Sequence, residues 1–289
     1  MEVTGQKKLI QDFFVKPRKS LGQHFLVQEE IFDKIIEHCN LTSDDVVVEI
    51  GAGLGGLTTR LAKQVKMVLA IEKDGNLVNL LRTKIIKNKN IKIIHQDALI
   101  FDYHQAAQEA GKPLKVIGNL PFFIASPITF KLLRKREAIE TMIFMYQKEV
   151  AERLVALPGN KNYGLLTVIA NLYADLKPIL AVGKEAFYPR PKVDSKVIKF
   201  DLLPQPRLAV KNEEFLLLVV KSLFAQRRKK LRNAIRTLIN NKVSLEFAER
   251  IFAEITINPD QRPEMLTLEK FVGLSNRLFE ELEFVRGNK

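Results

Sequence analysis

Val46-Val47-Val48-Glu49-Ile50 runs without a break into Gly51-Ala52-Gly53-Leu54-Gly55-Gly56, and then into Leu57-Thr58-Thr59-Arg60-Leu61-Ala62. The first five residues have the nearly continuous apolar, β-branched composition of a strand buried on both faces. A chain that leaves such a strand through so many glycines and enters a helix has few folds open to it. Strand, glycine-rich turn and helix form one unit of an open α/β sheet, whose ligands bind outside the carboxyl ends of the strands. Glycines let the backbone come close to a ligand, and the N–H groups that open the helix face it. Gly51, Gly53 and Gly56 satisfy Gly-x-Gly-x-x-Gly, a pattern that is weak alone and says no more than nucleotide.

Three further apolar runs end in the same loaded way. Met67-Val68-Leu69-Ala70-Ile71 stops at Glu72, 21 positions after Gly51, where a carboxylate can grip a ribose diol. Nicotinamide dinucleotides and S-adenosyl-L-methionine (AdoMet) both carry that ribose, so the spacing leaves both open. Ile91-Lys92-Ile93-Ile94-His95 ends in Gln96-Asp97-Ala98; Asp97 can accept from an adenine amino group while the Ala98 N–H answers a ring nitrogen. Either acid would also serve as a helix N-cap, but three strands in succession with such ends favour a ligand. Leu114-Lys115-Val116-Ile117 is followed by Gly118-Asn119-Leu120-Pro121-Phe122-Phe123, where proline forbids the strand to continue. An amide, free carbonyls and flat apolar rings suit a base with an exocyclic amine. Taken alone, the hexapeptide is equally an ordinary strand-to-helix loop.

Composition bounds the rest. At 289 residues with 46% hydrophobic content, the chain is long enough for one large domain and a smaller one. A formal net charge of +13 points to a polyanionic partner, nucleic acid before an anionic membrane surface. Between Glu214 and Glu246 there is no acid, while Lys221, Arg227, Arg228, Lys229, Lys230, Arg232 and Arg236 accumulate. On a helix these suit phosphate contact. No run reaches the length of a membrane span, and Met1 to Val15 lacks the apolar core of a signal peptide. Cys39 is the only cysteine and the four histidines lack metal-ligand spacing, so no metal and a reducing compartment, the cytoplasm, are expected. Apolar spacing predicts a helix over 29–38, and helices through Phe215 to Leu223 and through Ile235 and Leu238. Lys196 to Phe200 reads as a strand completing the sheet, and Leu203-Pro204-Gln205-Pro206-Arg207 as a linker. The expected architecture is a doubly wound, Rossmann-like α/β domain over 1–205, with an N-terminal arm over 1–28, and a small all-α domain over 206–289.

Glycine loop, Glu72, Asp97 and Asn119-Leu120-Pro121-Phe122, in that order, resemble the adenine-N6 methyltransferases of ribosomal RNA. The chain as a whole resembles the small-subunit rRNA dimethyladenosine transferase family linked to kasugamycin sensitivity. Lys19 to Leu26, Gln147 to Arg153, Phe187 to Ser195 and Phe224 to Asn233 are similar to that family's further motifs. Two positions stand apart: Phe122 replaces the family's usual bacterial tyrosine, and position 24 is histidine where the family has asparagine or histidine.

The resemblance implies an AdoMet-dependent methyltransferase, acting as a monomer on two adjacent adenosines near the 3′ end of 16S rRNA in an assembling 30S subunit. It implies that Gln23, His24, Leu26, Gly51, Gly53, Glu72, Asp97, Ala98 and Asn119 hold the cofactor. Asn119 Oδ1 and the Leu120 or Pro121 carbonyl would accept the two adenine N6 hydrogens, and Phe122 and Phe187 would sandwich the base. Lys192, Arg227, Arg228, Lys229 and Lys230 would meet RNA. Rival readings are the resistance-type 23S rRNA adenine methyltransferase, a non-catalytic RNA-binding factor on the same fold, and a dinucleotide oxidoreductase. The last explains neither Asn119 to Phe122 nor the basic stretch.

Overall fold

A computed structural model describes residues 5–85, 88–239 and 245–287. Two compact units emerge, Met1–Ala151 with Asp175–Pro204, and Glu152–Ala174 with Gln205–Lys289.

The first unit is built on seven strands: β1 (Val46–Ile50), β2 (Met67–Glu72), β3 (Ile91–His95), β4 (Leu114–Asn119), β5 (Ile139–Gln147), β6 (Ala174–Val182) and β7 (Ser195–Leu202). Their order across the sheet is β3-β2-β1-β4-β5-β7-β6. The pairs β2/β3, β1/β2, β1/β4 and β4/β5 are parallel, and β5/β7 is antiparallel. Parallel neighbours need crossover helices. These are α3 (Gly56–Leu61) after β1, α4 (Gly75–Ile85) after β2, α5 (Tyr103–Ala110) after β3 and α6 (Phe122–Leu133) after β4. Ahead of the sheet lie α1 (Gly5–Asp12) and α2 (Glu29–Glu37), and α7 (Lys148–Leu154) follows β5. Because the chain winds outward in both directions from β1 and β4, a crevice opens at their carboxyl ends, where doubly wound sheets place ligands.

All five residues of β1 are buried, as the composition of a doubly covered strand requires. The core under α2 and α3 joins Ile31, Phe32, Ile35 and Ile36 to Val47, Leu57, Leu61 and Val68. These are the apolar positions whose spacing predicts the helix over 29–38. At the amino ends of the strands lies a charged staple. Asp45, 3% exposed, accepts from Lys112 Nζ at 2.7 Å, Lys115 Nζ at 2.8 Å and the Thr42 N–H at 2.8 Å.

In the second unit, α8 (Leu165–Tyr173), α9 (Glu213–Ala225), α10 (Leu231–Ile239), α11 (Leu245–Glu254) and α12 (Leu268–Gly287) pack together. Asn212 caps α9 through the Phe215 N–H, and the Phe224 and Phe271 rings stack at 5.5 Å. Among the described residues, no helix is long and apolar enough to cross a membrane.

Three sequence expectations need adjustment. Strands β5 and β6 have no counterpart in the sequence reading. Glu152–Ala174, which carries α8, packs with the second unit, whereas the sequence reading assigns everything before 206 to the first. Arg227 to Lys230 are not helical: α9 ends at Ala225 and α10 begins at Leu231, so these residues form the intervening turn.

Candidate cofactor and base pocket

One cavity lies over the crevice, lined by Gly51, Gly53, Glu72, Asp97, Ala98, Asn119, Leu120, Pro121 and Phe122 together with Gln23, His24 and Leu26. Four strand ends and the N-terminal arm thus converge on a single space. The glycines are there for conformation. Gly51 and Gly53 sit at φ of +76° and +56°, backbone that side chains disfavour. Gly118 is required by contact: a Cβ there would lie 2.6 Å from the Ile50 carbonyl on the neighbouring strand.

Glu72 ends β2 and is pinned by backbone. Its Oε2 accepts from the Gly53 N–H at 3.0 Å, and its Oε1 from the Lys73 and Asp74 N–H groups at 2.9 and 2.8 Å. Oε2 therefore keeps acceptor capacity toward the cavity. Burial raises its pKa, against the pull of those three N–H groups. Asp97 is the opposite case: the Lys73 ammonium at 2.7 Å lowers its pKa and keeps it an acceptor, while the Leu99 N–H fixes Oδ1. Ala98 is buried, and its carbonyl accepts from the Tyr103 hydroxyl.

Asn119 is aimed by the arm. Its Nδ2 donates to the His24 carbonyl at 3.3 Å. A carbonyl can only accept, so this bond sets the amide's orientation and leaves Oδ1 as a free acceptor. The Pro121 carbonyl is engaged by the Ile124 N–H at 3.0 Å in the first turn of α6. Of the two carbonyls the sequence reading offers as the second acceptor, Leu120's is thereby favoured. The Phe122 ring stacks on His24 with centroids 5.5 Å apart and planes 30° apart. His24 is held in turn, its Nδ1 donating to the Pro189 carbonyl at 2.7 Å.

Several expected residues lie elsewhere or do other work. Phe187 is 4% exposed within the core and is not in the cavity. The reason is strand alternation: Phe187 and Tyr188 pair antiparallel with Leu26 and Phe25, which sends Phe187 inward and leaves Tyr188 exposed. Gln23 lines the cavity, yet both ends of its amide are taken, Nε2 by Asp74 and Oε1 by the Arg18 N–H; it fastens the arm to the start of α4. Lys192 is exposed outside the cavity. In the turn between α9 and α10, Arg227 pairs with Glu264 and Lys230 with Asp260, while Arg228 and Lys229 are exposed and have no ion pair among the described residues.

Comparison with known proteins gives the chain's relatives. The family described as ribosomal RNA adenine dimethylase matches residues 15–273. The chain is 40% identical over 276 residues to "Ribosomal RNA small subunit methyltransferase A" of Geobacillus sp. (strain WCH70), covering 94% of this chain and 95% of that protein. It is 39% identical to the protein of the same name from Clostridium botulinum, covering 96% and 99%. The chain belongs to the ribosomal RNA adenine dimethylase family. Among solved structures, a dimethyladenosine transferase from Plasmodium falciparum superposes with a TM-score of 0.76 at 25% identity, over 88% of this chain and 97% of that one. The 23S rRNA methyltransferase ErmE shares the fold, with a TM-score of 0.66 at 24% identity.

Within this dimethylase, two cavity residues escape sequence reasoning. Glu49 reads as one letter of a strand, yet it lines the cavity with Oε2 buried and unpaired. Burial pushes its carboxyl up to about 8, with Thr58 pulling the other way and Glu72 adding to the rise. A carboxylate inside an otherwise apolar buried strand is the signal that could have found it. Gln6 also lines the cavity, from α1; no motif marks it. Among the described residues, no group of His, Cys, Asp and Glu could hold a metal ion.

Proposed function

We propose that this dimethylase transfers methyl groups from AdoMet to N6 of two adjacent adenosines near the 3′ end of 16S rRNA, giving N6,N6-dimethyladenosine. It acts in the cytoplasm as a monomer on an assembling 30S subunit. Family membership and the near full-length likeness to small-subunit methyltransferases support the reaction. The observation that carries the site is Asn119, whose amide the His24 carbonyl turns so that Oδ1 stands free at the end of β4.

The cavity fits AdoMet. Its glycine turn leaves room that a Cβ would fill, and its polar groups fall at the ends of successive strands. Asp97 and the Ala98 N–H would hold the adenine, Glu72 the ribose, and Gly51 and Gly53 the amino-acid part. When bound, AdoMet supplies an electrophilic methyl group on its sulfonium. The chain's task is to present an amine whose lone pair is otherwise spread into the adenine ring. Asn119 Oδ1 and the Leu120 carbonyl accept the N6 hydrogens, which draws nitrogen toward tetrahedral geometry and frees the lone pair. Such placement of acceptors is worth about 10²–10³ in rate. Phe122 offers a flat face to a base that has left its stack, worth ~1–3 kcal/mol. His24 already covers one face of Phe122, so the base would take the face turned away from it. Arg228 and Lys229, exposed and without ion pairs among the described residues, are the cations of the 227–230 turn best placed to meet phosphate.

The test is transfer of labelled methyl from AdoMet to 30S particles lacking dimethyladenosine, with nucleoside analysis. N6,N6-dimethyladenosine in 16S rRNA, lost in Asn119→Ala, is the expected result. Label confined to 23S rRNA, or RNA binding without transfer, would overturn the reading. Replacing Arg228 and Lys229 together with alanine is expected to weaken particle binding and flatten its salt dependence, with AdoMet affinity unchanged.

A further inference from the structure

The N-terminal helix α1 lies before residue 15, where the family match begins, and it is built against the cavity. Ile10 packs with Phe25, Leu54 and Leu77, so the helix is seated on the glycine turn and on α4. A polar bracket fixes the other end. The Gln6 N–H donates to Glu29 Oε1 at 3.1 Å, Glu29 Oε2 accepts from Arg60 at 2.7 Å, and Arg60 Nη1 donates to the Gly56 carbonyl at 3.0 Å. The bracket presses the Gln6 side chain onto Gly56, where a Cβ would come within 2.8 Å of Gln6 Nε2. Gln6 is only 7% exposed and lines the cavity, yet among the described residues its amide has no partner in the chain. The amide faces the open cavity, so a group that occupies the cavity can hydrogen-bond it.

We infer that Gln6 is a cofactor ligand, its amide hydrogen-bonding the amino-acid end of AdoMet, with α1 as the strap that carries it there. The inference rests on the proposed AdoMet reaction. It also follows from what the other polar groups leave over. Asp97 and Ala98 suit the adenine and Glu72 the ribose, so the carboxylate and ammonium of the amino-acid end remain. A glutamine amide, donor and acceptor at once, answers both. Glu49, whose Oε2 is buried and unpaired in the cavity wall, suits the ammonium.

The experiment compares two ligands by calorimetry on the full chain. S-adenosylhomocysteine has the amino-acid end; 5′-methylthioadenosine lacks it. Gln6→Ala is expected to weaken S-adenosylhomocysteine about tenfold or more, the scale of a hydrogen bond to a charged group, and to leave 5′-methylthioadenosine unchanged. Ile10→Ala, which loosens the strap without touching the amide, should weaken S-adenosylhomocysteine by a smaller factor. Equal loss for both ligands in Gln6→Ala, or no loss for either, would overturn the assignment. Wild-type protein that binds neither ligand would instead overturn the AdoMet reading itself.

Discussion

Asp45 and Glu49 stand four residues apart at opposite ends of β1, both carboxyls almost fully buried, and the chain treats them in opposite ways. Asp45 has Lys112, Lys115 and the Thr42 N–H around it; burial pushes its pKa up, but those bonds outweigh it and hold the group well below the usual carboxylate range. Glu49 keeps an oxygen with no partner, and burial drives it up to about 8. The amino edge of the sheet is thus a closed electrostatic unit, while the carboxyl edge holds open valences. A buried polar group without a partner is costly, so the open Glu49 oxygen in the cavity wall marks a place where a ligand can complete the bonding.

Three substitutions would break or sharpen this contrast. Asp45→Asn should have the largest effect, because it leaves the buried ammonium of Lys115 with the Asn40 carbonyl but no counter-charge. Breaking a buried pair in this way costs ~3–5 kcal/mol, read as a fall in the midpoint of chemical denaturation, with activity per folded molecule retained. Asn119→Ala reverses the pattern: methyl transfer falls by about 10²–10³, equivalent to ~3–4 kcal/mol, while the denaturation midpoint stays within ~0.5 kcal/mol of wild type. Glu49→Gln is read instead in the dependence of melting temperature on pH. The folded-state pKa of Glu49 lies above its unfolded value near 4.3, so its neutral form favours folding. That contribution is complete below about pH 4.3 and lost as pH rises toward about 8, at no more than ~1.4 kcal/mol per pH unit. The variant should flatten the slope there. Asp45 has the opposite sign, its contribution disappearing only as pH falls below ~3.9, so the acid limb should be unchanged in Glu49→Gln and lost in Asp45→Asn.

What the sequence makes legible is the carboxyl edge. Strands that must be buried, glycines that must turn and a proline that must stop a strand are local constraints, and they locate β1 to β4 and their loops. Edge strand β6 resists such reading because Asp175, Lys177 and Pro178 sit within it, tolerable only where one side of a strand has no ladder to maintain. The depth of Phe187 depends on which residue of a two-residue ribbon faces the core, a parity set by its partner Leu26. The pairing of Arg227 and Lys230 with Glu264 and Asp260, at least 30 positions away, is invisible to any local charge count. Gln6 shows the same limit: its role arises from Gly56 and Glu29, neither of which is near it in the chain.

The position of β7 has a consequence for how the protein is made. Among the described residues β6 has β7 as its one neighbour in the sheet, and β7 also covers the outer side of β5. On the ribosome β5 emerges first, then the segment that joins the other unit, then β6, and β7 last. From residue 147 to residue 202 the nascent chain therefore carries one open ladder and one strand with nowhere to pair, for several seconds at ~5–20 residues per second. Arrival of β7 closes both at once, so the sheet is completed by insertion between two waiting strands. Conditions that stall synthesis inside that interval would hold the chain in its most aggregation-prone form.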